Sequence, residues 1–234
     1  MHYVMGDIHN EAKKLNSILE QIQPTYDDDV IVLGDLFDRG GDEADPLGVY
    51  FMLSGLQGNC IWIRGNHDQW LADYIKKYFS LSERKRKNMI SYSYNSFNLM
   101  KQRMTETDML NLADLIYNLP LQKTIDIDGK KFLLAHAMTS YPSIKEPDIY
   151  YMMGNWELET FFLSGIESYT SLCGHTTTDS ILWKKGGRYL DEYMHSIWVN
   201  KKENVYLMDC GCGFAGGKLA CICLENGERF YSCG

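Results

Sequence analysis

Short apolar runs recur along the chain, each broken at once by glycine or polar residues: Tyr3–Met5, Val30–Leu33, Cys60–Ile63, Lys131–Ala135, Ser171–Cys173 and Val205–Met208. Runs this short and this rich in Val, Ile and Leu read as buried strands. Between the first two, Glu11–Gln23 sets Leu15, Ile18, Leu19 and Ile22 at helical spacing, and Pro24 closes the segment. The chain therefore opens as a βαβ unit. Residues 69–119 have another character. Trp70, Leu71, Tyr74, Ile75 and Tyr78 predict one helix, and Met109, Leu112, Ala113 and Ile116 a second, so this stretch reads as a helical insertion beside a cleft. The tail from Lys218 to Cys233 reads as a hairpin turning at Asn226-Gly227. No repeat, low-complexity tract or linker interrupts the pattern, and residues 1–234 are read as one domain.

Composition narrows the class. A formal net charge of -8 argues against a broad nucleic-acid-binding face, although a phosphorylated substrate stays open. The run Glu83-Arg84-Lys85-Arg86-Lys87 is read as a solvated helix face. The seven cysteines are an odd number, and five of them fall in predicted core strands. Cys210/Cys212 and Cys221/Cys223 have C-x-C spacing, and alternate residues of a strand share a face, so these are read as small buried hydrophobes in a reducing cytoplasm. No run approaches the ~18 apolar residues of a membrane span. The chain reaches Asp7 directly, which leaves no room for a cleavable targeting segment and favours a cytoplasmic protein.

The chemistry lies at the ends of the strands. Gly6-Asp7-Ile8-His9 follows the first run, Gly34-Asp35-Leu36-Phe37-Asp38-Arg39-Gly40 the second, and Gly65-Asn66-His67-Asp68 the third. His136 ends the fourth run and Gly174-His175 the fifth. Functional groups of open α/β sheets collect beyond the carboxyl ends of strands. Taken singly, each of these residues has a bland explanation as a turn aspartate, a loop cap or a satisfied surface histidine. Five strand ends that each deliver a metal-competent side chain do not. Asp7, His9, Asp35, Asn66, His136 and His175 make a mixed N/O shell suited to Mn, Fe or Zn, with Asp35 the natural bridge between two divalent ions. Two such ions ~3.5–4 Å apart acidify a bridging water and stabilise an in-line displacement, which fits hydrolysis of a phosphate ester. His67 and Asp38 are then free for acid–base work, with Asp38 holding His67 as the proton donor to the leaving oxygen. Arg39 offers a planar fork to the phosphoryl oxygens. Arg64 is read equally as a second fork or as a structural ion pair, and Asn66 also faces the substrate.

The three blocks resemble the GDxHG, GDxxDRG and GNHE signatures of the serine/threonine protein phosphatases within the calcineurin-like metallophosphoesterase superfamily, in its small bacterial or phage form. The resemblance implies an α/β fold, a two-sheet sandwich flanked by helices. It also implies one metal on Asp7, His9 and Asp35 and a second on Asp35, Asn66, His136 and His175. Three departures stand out. Asn10 replaces a glycine, Asp68 replaces the glutamate of GNHE, and no arginine lies between His136 and His175, where only Lys145 offers a substitute charge. The leading expectation is a phosphomonoesterase acting on phosphoserine, phosphothreonine or phosphotyrosine in a phosphoprotein or phosphopeptide. A symmetrical dinucleoside polyphosphate hydrolase is the alternative, with Trp70, Tyr74, Tyr92, Tyr94 and Phe97 as an adenine pocket if they are not core. A catalytically silent, phosphoprotein-docking metal scaffold is the reading from another class, and the His67–Asp38 pair speaks against it.

Overall fold

All six apolar runs are strands in the computed structural model, which describes every residue except 57, 183, 193, 194 and 234. In chain order the strands are β1 (His2–Met5), β2 (Asp29–Val32), β3 (Asn59–Trp62), β4 (Gln122–Ile127), β5 (Lys130–Ala135), β6 (Thr170–Cys173), β7 (Gly187–Tyr189), β8 (Trp198–Asn200), β9 (Val205–Leu207), β10 (Ala220–Cys223) and β11 (Arg229–Tyr231). The α-helices are α1 (Ala12–Ile22), α2 (Pro46–Ser54), α3 (Asn66–Ser80), α4 (Glu83–Arg86), α5 (Ser96–Lys101), α6 (Glu106–Tyr117), α7 (Asp148–Met153) and α8 (Leu158–Ser164). The strands form two mixed sheets, ordered β11-β10-β1-β2-β3 and β4-β5-β6-β9-β8-β7. β1, β2 and β3 run parallel in the first sheet, as do β5, β6 and β9 in the second.

The α/β sandwich expected from the sequence is the fold observed. Val4, Ile31, Leu33 and Ile63 of the first sheet meet Leu134, Leu172 and Met208 of the second in the inner layer. On the outer face of the first sheet, Met5, Val30 and Val32 pack against Leu15 and Ile18 of α1, Leu53 of α2, Leu71 and Ile75 of α3 and Leu112 of α6. Leu133, Cys173 and Leu207 pack outward from the second sheet onto Phe161 and Phe162 of α8. Because β2 is covered on both faces, its sequence is a continuous apolar run and does not alternate.

Several elements left no clear pattern in the sequence. α2 is apolar around its whole circumference and shows no amphipathic stripe. β4 buries only Ile125 of its six residues, and β7 and β8 are three residues long. The insertion is helical as expected, but its first helix starts at Asn66, so it grows directly out of the third motif block. The basic run is not uniformly solvated: Arg86 donates to the carbonyls of Tyr78, Phe79 and Leu81 and closes the C-terminal end of α3. Cys173, Cys210, Cys212, Cys221 and Cys223 are buried free thiols, as read from the sequence. The tail is the expected hairpin, with Gly227 in the left-handed region at its turn. Among the described residues, no helix is long and apolar enough to cross a membrane.

Candidate metal centre

The parallel strands of both sheets end at one edge of the sandwich, and the motif loops interlock there. Backbone N–H groups of Ile8 and His9 both donate to the carbonyl of Asp35, and that of Asn10 to the carbonyl of Leu36, which fixes the first block to the second. Asp68, fully buried, joins the second block to the third: its carboxylate accepts the N–H groups of Asp35, Leu36 and Gly65, each at 2.9 Å. Two glycines permit the closest approaches. A Cβ on Gly65 would collide with the carboxylate of Asp35, and one on Gly174 with that of Asp7. Six of the eleven non-glycine residues with positive φ among those described are His9, Asn10, Asp35, Asp38, Arg39 and His175. Strained backbone of this kind concentrates where surrounding structure over-determines it.

The six residues named as ligands come together in two overlapping sets. Ligand atoms of Asp7, His9 and Asp35 lie within 4.8 Å of one another, as do those of Asp35, His136 and His175. One atom joins the sets: Oδ2 of Asp35 is 3.7 Å from Nε2 of His9 and 3.3 Å from Nε2 of His136. The imidazoles are aimed from behind. His9 Nδ1 faces the carbonyl of Phe37 at 3.1 Å and His136 Nδ1 that of Leu33 at 2.8 Å, so both turn the Nε2 lone pair inward. The side-chain amide of Asn66 lies 3.0 Å from His136 Nε2 and 2.9 Å from His175 Nδ1. An amide and two imidazoles that converge on one point can serve as the donor set of a cation.

The charge balance agrees. Asp7, Asp35, Asp38, Asp68 and Asp209 are all buried, at most 2% exposed, and Arg39 is the guanidinium among them. Carboxylates thus outnumber guanidinium groups in this buried cluster, an excess of negative charge that suits bound cations. Burial alone would lower His136, yet Asp35 and Asp7 outweigh it and drive its pKa to about 10, so this point demands a positive charge. Burial resists the ionisation of Asp35 too, but His136, His9 and His67 hold its carboxyl far below the usual range. Burial lowers His9 to about 3 and His175 to about 4, which keeps both imidazoles neutral, the form that binds metal. The residues present fit a pair of divalent cations, with Asp35 common to both ligand sets.

His67 lies beside this centre and not in it. Its Nδ1 is 3.1 Å from Oδ2 of Asp38, and both side chains are buried. Arg39 bridges the two halves of the site, with NH1 3.0 Å from His9 Nε2 and NH2 3.2 Å from His67 Nε2, and its guanidinium lies over the ring of Phe214. Arg64 stands apart from that group. It donates to Gln69 at 2.8 Å and pairs with Asp148 of α7 at 3.4 Å, the partner set of a structural ion pair. Lys145 is exposed on the loop before α7.

Sequence reasoning passed over two contributors. Asp209 ends β9 as the other acids end their strands; its Oδ1 accepts the N–H of Gly211, and its Oδ2 has no hydrogen-bond partner among the described residues. Burial raises its pKa to about 6, and its charge is the strongest like-charge influence on Asp7. The Val205–Met208 run was the available signal, since the strand-end rule applied there as well. Asn10 is the second: its amide nitrogen donates to Arg39 O, Asn95 Oδ1 and Ser96 Oγ.

A family model described as calcineurin-like phosphoesterase matches residues 3–228. The chain belongs to that family. Its metal-competent groups and strand-end loops are those of a metallophosphoesterase, a hydrolase. The phosphoesterase is 25% identical to a symmetrical bis(5'-nucleosyl)-tetraphosphatase of Buchnera aphidicola subsp. Baizongia pistaciae, over 99% of this chain and 72% of the relative. Among solved structures it resembles a putative diadenosine tetraphosphatase, with a TM-score of 0.64 at 19% identity over 100% of this chain and 93% of the other. It also resembles a protein serine/threonine phosphatase of Saccharomyces cerevisiae, with a TM-score of 0.58 at 13% identity over 100% and 80%. These two likenesses are of fold.

Proposed function

We propose that this phosphoesterase cleaves a phosphoanhydride of a dinucleoside tetraphosphate, using Asp7, His9, Asp35, Asn66, His136 and His175 to hold two divalent ions. The ions, of which manganese is the one we favour over iron or zinc, supply an activated water and the charge that holds the phosphoryl oxygens. Arg39 presents its fork to the phosphoryl group, and His67, oriented by Asp38, protonates the departing oxygen. The observation that carries the substrate is the aromatic wall at His67. Trp70 and Tyr94 lie half-buried and parallel within 3°, with ring centroids 4.8 and 4.4 Å from the imidazole. Parallel aromatic faces beside the reacting group suit a nucleobase, whose π-face stacks with little regard to sequence. The name of the relative matched along nearly the whole chain supports the same substrate. Phe97, by contrast, is core.

A phosphoprotein substrate is the second reading, and one observation favours it. α7, tied to Arg64 through Asp148, and the loop beyond it expose Ile149, Met153 and Trp156, the last at 88%, and such apolar exposure fits a polypeptide. A substrate panel on metal-loaded protein separates the readings: diadenosine tetraphosphate, phosphopeptides and an aryl phosphate. Preference for the dinucleotide is expected, with Trp70→Ala weakening its KM. Faster turnover of phosphopeptides would overturn the substrate, and absence of metal-stimulated turnover on all three would overturn the enzyme. We place the protein in the cytoplasm, where nucleotide substrates are found.

A further inference from the structure

We propose that Tyr92 is a positioning residue of the reaction, its hydroxyl fixing the Asp38 carboxylate that in turn orients His67. The proposal rests on the reading of His67 as proton donor. Tyr92 lies in the stretch between α4 and α5, within the helical insertion and far in sequence from every motif block. Its hydroxyl donates to Oδ2 of Asp38 at 2.6 Å, the same oxygen that lies 3.1 Å from His67 Nδ1. The other carboxylate oxygen faces the backbone N–H of Ser96 at 3.4 Å. Both oxygens of Asp38 are thus met from the insertion, and the imidazole occupies the position that remains.

The backbone beneath is held from the same stretch. Asp38 and Arg39 are consecutive non-glycine residues at φ 70° and 63°, a conformation that needs external support. The N–H of Asp38 donates to Ser96 Oγ at 2.6 Å, and the carbonyl of Arg39 accepts from Asn95 Nδ2 at 2.7 Å and Asn10 Nδ2 at 3.2 Å. None of Tyr92, Asn95 and Ser96 is a metal ligand. The insertion therefore supplies the contacts that hold Asp38.

The ordinary alternative is a half-buried tyrosine whose hydroxyl needs any acceptor. Its neighbour shows that solution: Tyr74, with its ring centroid 5.0 Å from that of Tyr92, donates its hydroxyl to the carbonyl of Ile90. Tyr92 instead meets a buried carboxylate, and burial and Asp38 both raise its pKa, so the hydroxyl keeps its proton and stays a donor. In the reaction, the bond from phosphorus to the leaving oxygen breaks with its electron pair on that oxygen. The oxygen takes the Nε2 proton of His67, while the Nδ1 proton stays shared with Asp38. A carboxylate free to rotate would let the imidazole turn and would slow that transfer.

The test is Tyr92→Phe, which keeps the ring and deletes the hydroxyl, assayed as metal-loaded full-length protein beside His67→Asn. The substrates are 4-nitrophenyl phosphate, whose leaving group needs little protonation, and phenyl phosphate, whose leaving group needs more. With metal content and KM unchanged, we expect kcat for phenyl phosphate to fall about tenfold, a fraction of what a general acid contributes, and kcat for the nitrophenyl ester to fall less than about twofold. In the Asp38→Asn background, Tyr92→Phe should add no further loss, because the two act in series. Equal losses on both esters, or none, would overturn the role of Tyr92 while His67→Asn still discriminates between them. If His67→Asn shows no discrimination, or neither ester is turned over, the proton-donor reading itself falls and the proposal falls with it.

Discussion

Asp35→Asn tests the architecture of the centre most directly, because one oxygen of Asp35 faces both ligand sets, 3.7 Å from His9 Nε2 and 3.3 Å from His136 Nε2. The substitution keeps the shape and an acceptor for the N–H of His67, which Oδ1 now receives at 2.9 Å, and removes the bridge and one negative charge. Replacing even an outer partner of a metal ligand lowers affinity about 10–100-fold, so loss of the bridge should weaken each ion by about 100-fold or more. At a metal concentration about 100 times Kd, a bound ion stabilises the native protein by about 2.7 kcal/mol, and a 100-fold weaker one by about 0.4 kcal/mol. For a chain of this length, 1 kcal/mol moves Tm by about 2–4 °C. With two such ions bound, manganese should therefore raise Tm by roughly 11–22 °C in the wild type and by only about 2–3 °C in the variant. Thermal unfolding against metal concentration reads this shift, and elemental analysis after desalting should find two ions in the wild type and none in the variant. The single-set variants Asp7→Asn and His175→Gln should each retain one ion. An Asp35→Asn protein that keeps one ion at wild-type affinity would refute the bridge.

Three further outcomes follow from other parts of the site and fold. His67→Asn should retain both ions and lose most turnover on poor leaving groups, about 100-fold or more for a general acid; loss of metal in that variant would make His67 a ligand. Asp68→Ala leaves three buried backbone N–H groups without their carboxylate. Each costs about 1–3 kcal/mol, partly offset by removing a buried charge, so the chelated protein should lose about 3 kcal/mol in denaturant unfolding; a loss under about 1 kcal/mol would contradict the linking role. Glu225 accepts the His2 backbone N–H at 2.9 Å and pairs with its ring at 2.6 Å, and although burial opposes them, these bonds lower its carboxyl from 4.5 to about 2. A lowered carboxyl stabilises fully above its unfolded pKa. The Tm deficit of Glu225→Gln should be constant above 4.5, shrink as the pH falls, and vanish below about 2; a deficit independent of pH would disprove the linkage.

What the sequence made legible follows from how each signal is encoded. The six strands with covered faces appear as apolar runs, and Asp7, His9, Asp35, Asn66, His136 and His175 appear because the ends of those runs mark the functional edge. β7, β8 and α2 stayed hidden for opposite reasons: the first two are too short for any period to show, and α2 is apolar on every side. Asp209 sits at a strand end like the ligands and was legible by the same rule. Tyr92, Asn95 and Ser96 were not, because their role depends on one loop of the insertion folding against Asp38, a contact across more than fifty residues that no local pattern records. The partners of Arg64 were equally out of reach, since Asp148 lies 84 residues away.

The geometry also changes what the departures from the family pattern mean. At Asp68, which stands in place of glutamate, both oxygens are engaged by the N–H groups of Asp35, Leu36 and Gly65. The shorter side chain therefore reflects how closely two loops approach each other and carries no information on what is hydrolysed. Asn10 likewise answers to Asn95 and Ser96 and not to the phosphoryl group. With Arg64 bound to Gln69 and Asp148, Arg39 remains the guanidinium at the junction of His9 and His67, its Cζ 4.5 Å from the ring centroid of Phe214. One fork grips one phosphoryl group and cannot by itself choose among the molecules that carry it. On the proposed reading, selectivity would come from the rim, where Trp70 and Tyr94 stand on the side of His67 and Phe214 beneath Arg39.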